Sequence, residues 1–210
     1  MQAHDALPGV VGLVKVFSRA WLKSIDAAAF SLGRTFASGN LRHSNFSMLK
    51  ALRAAGMTVK FNYTPAMHEA FSLVLAQQVS LIRGLAQEHL SEVEGIVLRS
   101  AQLGRDLGYV TKELTERYDI DHKRAAFIAR DQNNKATAVF NRVRQLEIMG
   151  PDAKAIWVHS GAGKHPRPDH VRAGRDKLVY KVSEGAFIDG EYIHPGELPN
   201  CRCTSRLILH

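Results

Sequence analysis

The sequence predicts an α+β protein: an N-terminal helical bundle over about residues 10–149, whose long last helix leads into a small C-terminal β-containing module. Three observations carry this. Apolar side chains step by three and four along most of the first 149 residues, the spacing of one helix face. Gly150-Pro151 cuts that pattern off sharply. Beyond it, short β-branched and aromatic runs alternate with Gly, Pro and charge, as in short strands joined by tight turns.

Taken in order, residues 1–8 read as a loose arm. A first helix follows on the stripe Val10, Val14, Phe17, Trp21, Ile25, Ala28, Leu32 and Phe36, with Lys15, Arg19 and Lys23 off it, and Ser38-Gly39-Asn40 ending it. The stripe is expected to face the protein's own core, with a partner helix or a membrane surface as the other options. Residues 45–55 read as a short helix stopped by Gly56, and 57–63 as a short strand or extended linker. Thr64-Pro65 supplies an N-cap and a proline at the first helical position. The helix it starts runs to about Arg83, with a break at Gly84, another from Ala86 to Leu103 stopped by Gly104, and a short one from Gly108 to Tyr118.

Asp121 is placed to cap the long helix that runs to Met149. Its middle carries a polar band, Arg130 to Asn134. That band is either a solvated turn or a contact with the C-terminal module or a partner. Then come a strand at 155–158, a long loop at 160–176, and a strand at 178–182. A hairpin turns on Asp189-Gly190, and a last strand covers 206–209. A domain boundary is drawn at 120/121: a helical region over 1–120, and a long helix plus β module over 121–210.

Hydrophobic residues make up 45 % of the chain, enough for a real core. No apolar run approaches the roughly 18 residues that span a bilayer. The first eight residues carry Asp5 and no basic side chain, which argues against an export signal. The expected compartment is a cytoplasm. The net charge is +8 and the pI near 9.7, but the excess is diffuse and forms no basic tail. That favours proximity to a polyanion without marking a DNA site.

The organised stretch lies near the end. Trp157-Val158-His159-Ser160 is followed by Arg167-Pro168-Asp169-His170 and then Pro199-Asn200-Cys201-Arg202-Cys203, which holds both cysteines of the chain. Prolines stiffen both approaches, and Asn200 suits a turn into the Cys pair. The order Trp…Arg-Pro-x-His…Gly…Pro-Asn-Cys-Arg-Cys, with the upstream run Arg124 to Gln132, resembles the phage Mu F-like minor head protein (head morphogenesis) family. The resemblance covers about residues 60–209 and is strongest from 121 on. It implies a minor virion protein that associates with the portal and affects head assembly or the passage of DNA. The implied partners are portal or major capsid protein. The implied location is the virion, with the host cytoplasm during assembly. Where the family often has a His directly before Pro-Asn-Cys-Arg-Cys, this chain has Leu198.

Zinc is the first chemical candidate, because thiolates and imidazoles are its usual ligands and structural sites take four. His170, Cys201 and Cys203 supply three. His194 is the preferred fourth, ahead of His159, His165 and Asp169. The metal-free alternative is two buried thiols and a hydrogen-bonded His that organise the fold. A disulfide across Cys-x-Cys would be strained. A Cys nucleophile paired with His170 and Asp169 has the residue types but no protease signature. A metal nuclease would draw on His159, His165, Asp169 and His170. Gly161-Ala162-Gly163-Lys164 is no phosphate loop, because the glycine spacing and the Ser/Thr after Lys are missing. Arg167 and Arg202 are expected to hold structure, and Trp157 to anchor the module. The expectation is a non-enzymatic assembly protein, the alternative a metal-dependent hydrolase or nuclease built on the His170/Cys201/Cys203 cluster.

Overall fold

The computed structural model describes residues 6–102, 104, 106–163 and 165–209. Most of the expected arm (residues 1–5), together with Leu103 and Lys164, lies outside them, as does the side chain of Val10. Three long helices come first: α1 (Ala6–Ala54), α2 (Pro65–Gln102) and α3 (Leu107–Met149). Then follow β1 (Lys154–Val158), α4 (Pro168–Arg175), β2 (Val179–Lys181), β3 (Ala186–Ile188), β4 (Glu191–Ile193) and β5 (Thr204–Leu207). The fold is α+β, with a helical N-terminal region and a small C-terminal β module.

The helices are longer than the sequence pattern predicts. Ser38-Gly39-Asn40 does not end α1, Gly84 does not break α2, and Asp121 lies inside α3 rather than capping it. An interior glycine costs a helix only about 1 kcal/mol, which tertiary contacts easily outweigh. Asn40 is buried and accepts a bond from Thr137 Oγ1 at 3.3 Å. Asp121 binds His89 at 2.9 Å and Arg117 at 3.2 Å. The stop signals that hold are Gly56, Gly104 and Gly150, each at positive φ after a helix end. Thr64 caps α2, its Oγ1 accepting the Met67 N–H at 3.2 Å. Residues 57–63 form no strand and serve as an extended linker.

Two compact units divide the chain differently from a boundary at 120/121. The first comprises Met1–Phe36 and Leu75–Ala126, the second Ala37–Val74 and Phe127–His210. In the first unit, α1 and α2 are tied by Asp26–Arg83 at 2.7 Å and by Ser18 with Glu94. Arg124 bonds both carboxylate oxygens of Glu88, at 2.7 and 2.9 Å, and so ties α2 to α3. The buried line of α1 here is Ser18, Ala29 and Gly33; Val14, Ile25, Ala28 and Phe36 of the expected stripe are half-buried, and its Phe17, Trp21 and Leu32 are exposed. Phe17 is 71 % and Leu32 55 % exposed. The reason is close helix approach: a Cβ on Gly33 would sit 3.1 Å from Val79 Cγ2. Small residues win the interface, and bulky ones move to its rim. An apolar groove lined by Leu13, Phe17, Trp21, Leu90, Val93 and Val97 results.

In the second unit, the end of α1 packs on the end of α3 through polar contacts. Ser44 Oγ donates to Asn141 Oδ1 at 2.7 Å. Arg144, only 2 % exposed, donates to Asn45 Oδ1 (3.0 Å), to the Asn62 carbonyl (2.8 Å) and to Glu147 (2.6 Å), and stacks 4.5 Å from the Phe61 ring. The β module stands on α3. Its sheet runs β2-β1-β5, all antiparallel, with Ala155 opposite both Tyr180 and Leu207. The β3–β4 hairpin turns on Asp189-Gly190, both at positive φ as a tight primed turn requires. Alternation along β1 sends Ala155 and Trp157 inward. They join Ala173, Tyr180, Val182, Ile188, Ile193 and both cysteines in one core.

Candidate metal centre

The chain brings His170 to the cysteines by means of a helix where composition suggested only loop. Pro168 occupies the first turn of α4, where its missing N–H costs nothing. Asp169 sits in the first turn and Arg172 and Arg175 in the last, matching the helix dipole. Eight residues are too few to show periodicity among Gly, Pro and charge, so the expected 160–176 loop is corrected to a loop plus α4. The inner face of α4 buries His170 and Ala173.

The cysteines arrive from the opposite side. Asn200 holds a left-handed φ of 58°, which Asn tolerates well. Its N–H donates to Asp131 Oδ1 at 2.6 Å, and Asn134 Nδ2 donates to the Cys201 carbonyl at 3.3 Å. The polar band of α3 is therefore a contact with the C-terminal module. Arg167 Nη2 donates to the Pro199 carbonyl at 3.1 Å, which ties the two motif blocks directly and fulfils its expected structural role. Gly196, at φ +85°, lets this loop approach α3: a Cβ there would meet Ala138 Cβ at 3.0 Å.

His170 Nδ1 lies 3.5 Å from Cys201 Sγ and 3.7 Å from Cys203 Sγ. The ligand atoms of the three residues fall within 4.8 Å of one another, and all three residues are buried. A tetrahedral ion with Zn–S of about 2.3 Å and Zn–N of about 2.0–2.1 Å puts N and S about 3.5–3.6 Å apart. The group could hold a metal ion, and its two N–S distances lie close to that spacing. Two thiolates and a neutral imidazole would also balance a divalent charge, which matters in a buried site. Both thiols are free.

Without a metal, the two thiols are pushed in opposite directions. The Cys203 thiol, the N–H groups of Cys203 and Gly196 and the charge of His170 push Cys201 down to about 5, against the effect of burial. Cys203 is pushed up by its bond to Cys201, by burial and by the Cys201 charge. Trp157 is fully buried and meets the His170 ring edge-on, with centroids 5.0 Å apart. His170 Nε2 is buried without a hydrogen-bond partner.

The other candidates fall in different places. His194, the preferred fourth ligand, does not join the cluster. It lines a separate cavity, and burial and the nearby Arg142 charge push its pKa down. His159 and His165 line a cleft of about 590 Å³ that opens beside His170, Cys201 and Cys203. Asp169 lies next to His170 on α4, outside the three-residue group. Leu198 packs against the module core in the place of the absent His. The sequence reading missed Arg144, which stands among the polar residues Asn141, Arg142, Gln145 and Glu147 and gave no local signal. Among the described residues no helix is long and apolar enough to cross a membrane.

No protein-family model matches the chain, and no solved structure matches it. An uncharacterized protein of Haemophilus influenzae (strain ATCC 51907 / DSM 11121 / KW20 / Rd) is similar, 27 % identical over 164 residues that cover 77 % of this chain. The aligned stretch spans 34 % of that relative, about a third of its length.

Proposed function

We propose that this chain is a non-enzymatic virion assembly protein of the head-morphogenesis kind, with its C-terminal module clasped by a zinc ion on His170, Cys201 and Cys203. One observation carries the reading: polar side chains of the motif and of the adjoining α3 band hold backbone together. Arg167 holds Pro199, Asp131 holds Asn200, and Asn134 holds Cys201. A signature kept for architecture fits an assembly component better than a catalyst. The partner is the portal or major capsid protein, in the virion and, during assembly, in the host cytoplasm. The exposed Leu13, Val16 and Phe17 of α1 offer apolar surface for such a partner.

The test is co-expression of the full chain with portal protein, followed by co-purification and metal analysis. The expected result is about one zinc per chain and retention of portal, with zinc lost in Cys201→Ser and His170→Ala. Metal-free protein, or portal that never co-purifies, sinks the corresponding half of the proposal.

A second reading rests on the cleft. The cluster supplies three ligands, and catalytic zinc keeps a fourth position for water. His159, His165, Arg130 and Arg167 line the space in front of it. This reading makes the chain a metal-dependent hydrolase or nuclease. It requires turnover by zinc-loaded protein that disappears in His165→Ala or His159→Ala while zinc is retained.

A further inference from the structure

A second cavity shares Arg202 and Cys203 with the cleft in front of the cluster. Its volume is about 160 Å³, and it lies between α3, the end of α1 and the β module. A single water needs about 10–15 Å³ on this measure, so there is room for a small tetrahedral ion. The lining is unusual in charge. Arg142, Arg202, His43 and His194 contribute to it, with Asn133 beside them, and no carboxylate lines it.

The cations are not consumed elsewhere. Among the described residues neither Arg142 nor Arg202 forms an ion pair. Arg202 Nε is buried with no hydrogen-bond partner. An orphaned guanidinium donor in a protein interior is costly, and a bound acceptor removes that cost. An acid three residues after His194 is Glu197. It stands outside the lining, and its Oε2 accepts the His194 backbone N–H at 2.7 Å.

We infer that this cavity binds a phosphate group, received by Arg142 and Arg202 with His43 and His194 as further donors. Two guanidinium groups and two imidazoles around a partly open cavity, with no acid among the described residues of its lining, form a receptor for a compact oxyanion. The group is either free phosphate or a phosphodiester of nucleic acid. The inference does not depend on zinc or on the assembly role, because none of the four donors belongs to the metal cluster.

The experiment titrates inorganic phosphate into the full-length protein and follows binding by calorimetry and ³¹P line broadening. Arg142→Gln is expected to weaken binding about tenfold, the loss for one charge-assisted hydrogen bond. His43→Gln is expected to weaken it less. Arg142 and His43 are partly or wholly solvent-accessible, so both variants should fold, and a thermal melt checks this. A labelled DNA duplex distinguishes the sources. If duplex binding also weakens in Arg142→Gln and phosphate competes with it, the site takes a phosphodiester. If phosphate binds and the duplex does not displace it, the site takes the free ion. Absence of phosphate binding at millimolar concentration, or affinity unchanged in Arg142→Gln, overturns the inference.

Discussion

Replacing Gly174 with Ala pits helix propensity against packing, and the structure decides which prevails. Gly174 lies in α4, the helix that carries His170. In an open helix the change gains about 1 kcal/mol. Here the new Cβ would lie 2.4 Å from His159 Cβ and 2.9 Å from its backbone nitrogen. Non-bonded carbons settle at about 3.5–4.0 Å, so α4 or β1 must move by more than about 1 Å. Overpacking of that kind costs about 1–3 kcal/mol, occasionally more, and the obstructing atoms are backbone and Cβ rather than a flexible tip. The net expectation is a loss of up to about 2 kcal/mol instead of a gain. The same movement carries His170 away from sulfurs now 3.5 and 3.7 Å away. Metal–ligand distances tolerate only about ±0.2 Å, so zinc affinity should fall with stability. Urea unfolding and competition with a chromophoric zinc chelator measure the two effects. Gly84→Ala, with nothing within 4 Å of its new Cβ, is the control and should stabilise by about 0.5–1 kcal/mol. If Gly174→Ala matches that control in stability and keeps its zinc affinity, the account of how α4 is positioned is wrong.

Other changes test other contacts. Arg144→Ala removes the donors to Asn45, the Asn62 carbonyl and Glu147 from the buried Arg144 position and should cost about 1–3 kcal/mol by denaturant unfolding. Asp131→Ala removes the acceptor for the Asn200 N–H and should cost about 1–3 kcal/mol, with weaker zinc retention on dialysis. Burial pushes the Tyr180 phenol up to about 12, against the bond from Ser205. Its unfolded counterpart titrates near 10, so this contribution is complete below about pH 10 and is lost as pH rises towards 12, about 2–3 kcal/mol in all. Urea midpoints compared between wild type and Tyr180→Phe from pH 9 to 12 should show the gap closing or reversing over that window.

The sequence by itself determined the class of fold, the stop at Gly150-Pro151, the Asp189-Gly190 hairpin, the Thr64 cap and the pairing of His170 with Cys201 and Cys203. These are legible because each depends on neighbours in the chain or on rare residue types whose chemistry has few uses. Tertiary structure decided the rest. Asn40, Gly84 and Asp121 look like boundaries locally, yet each costs a helix less than packing returns. The buried line of α1 follows Ala29 and Gly33 rather than Phe17 and Leu32, because how closely two helices approach is set by the partner. His194 went to another cavity and α4 emerged from an apparent loop for the same reason. Which imidazole faces the sulfurs depends on where the backbone turns in space, and spacing along the chain does not encode that direction.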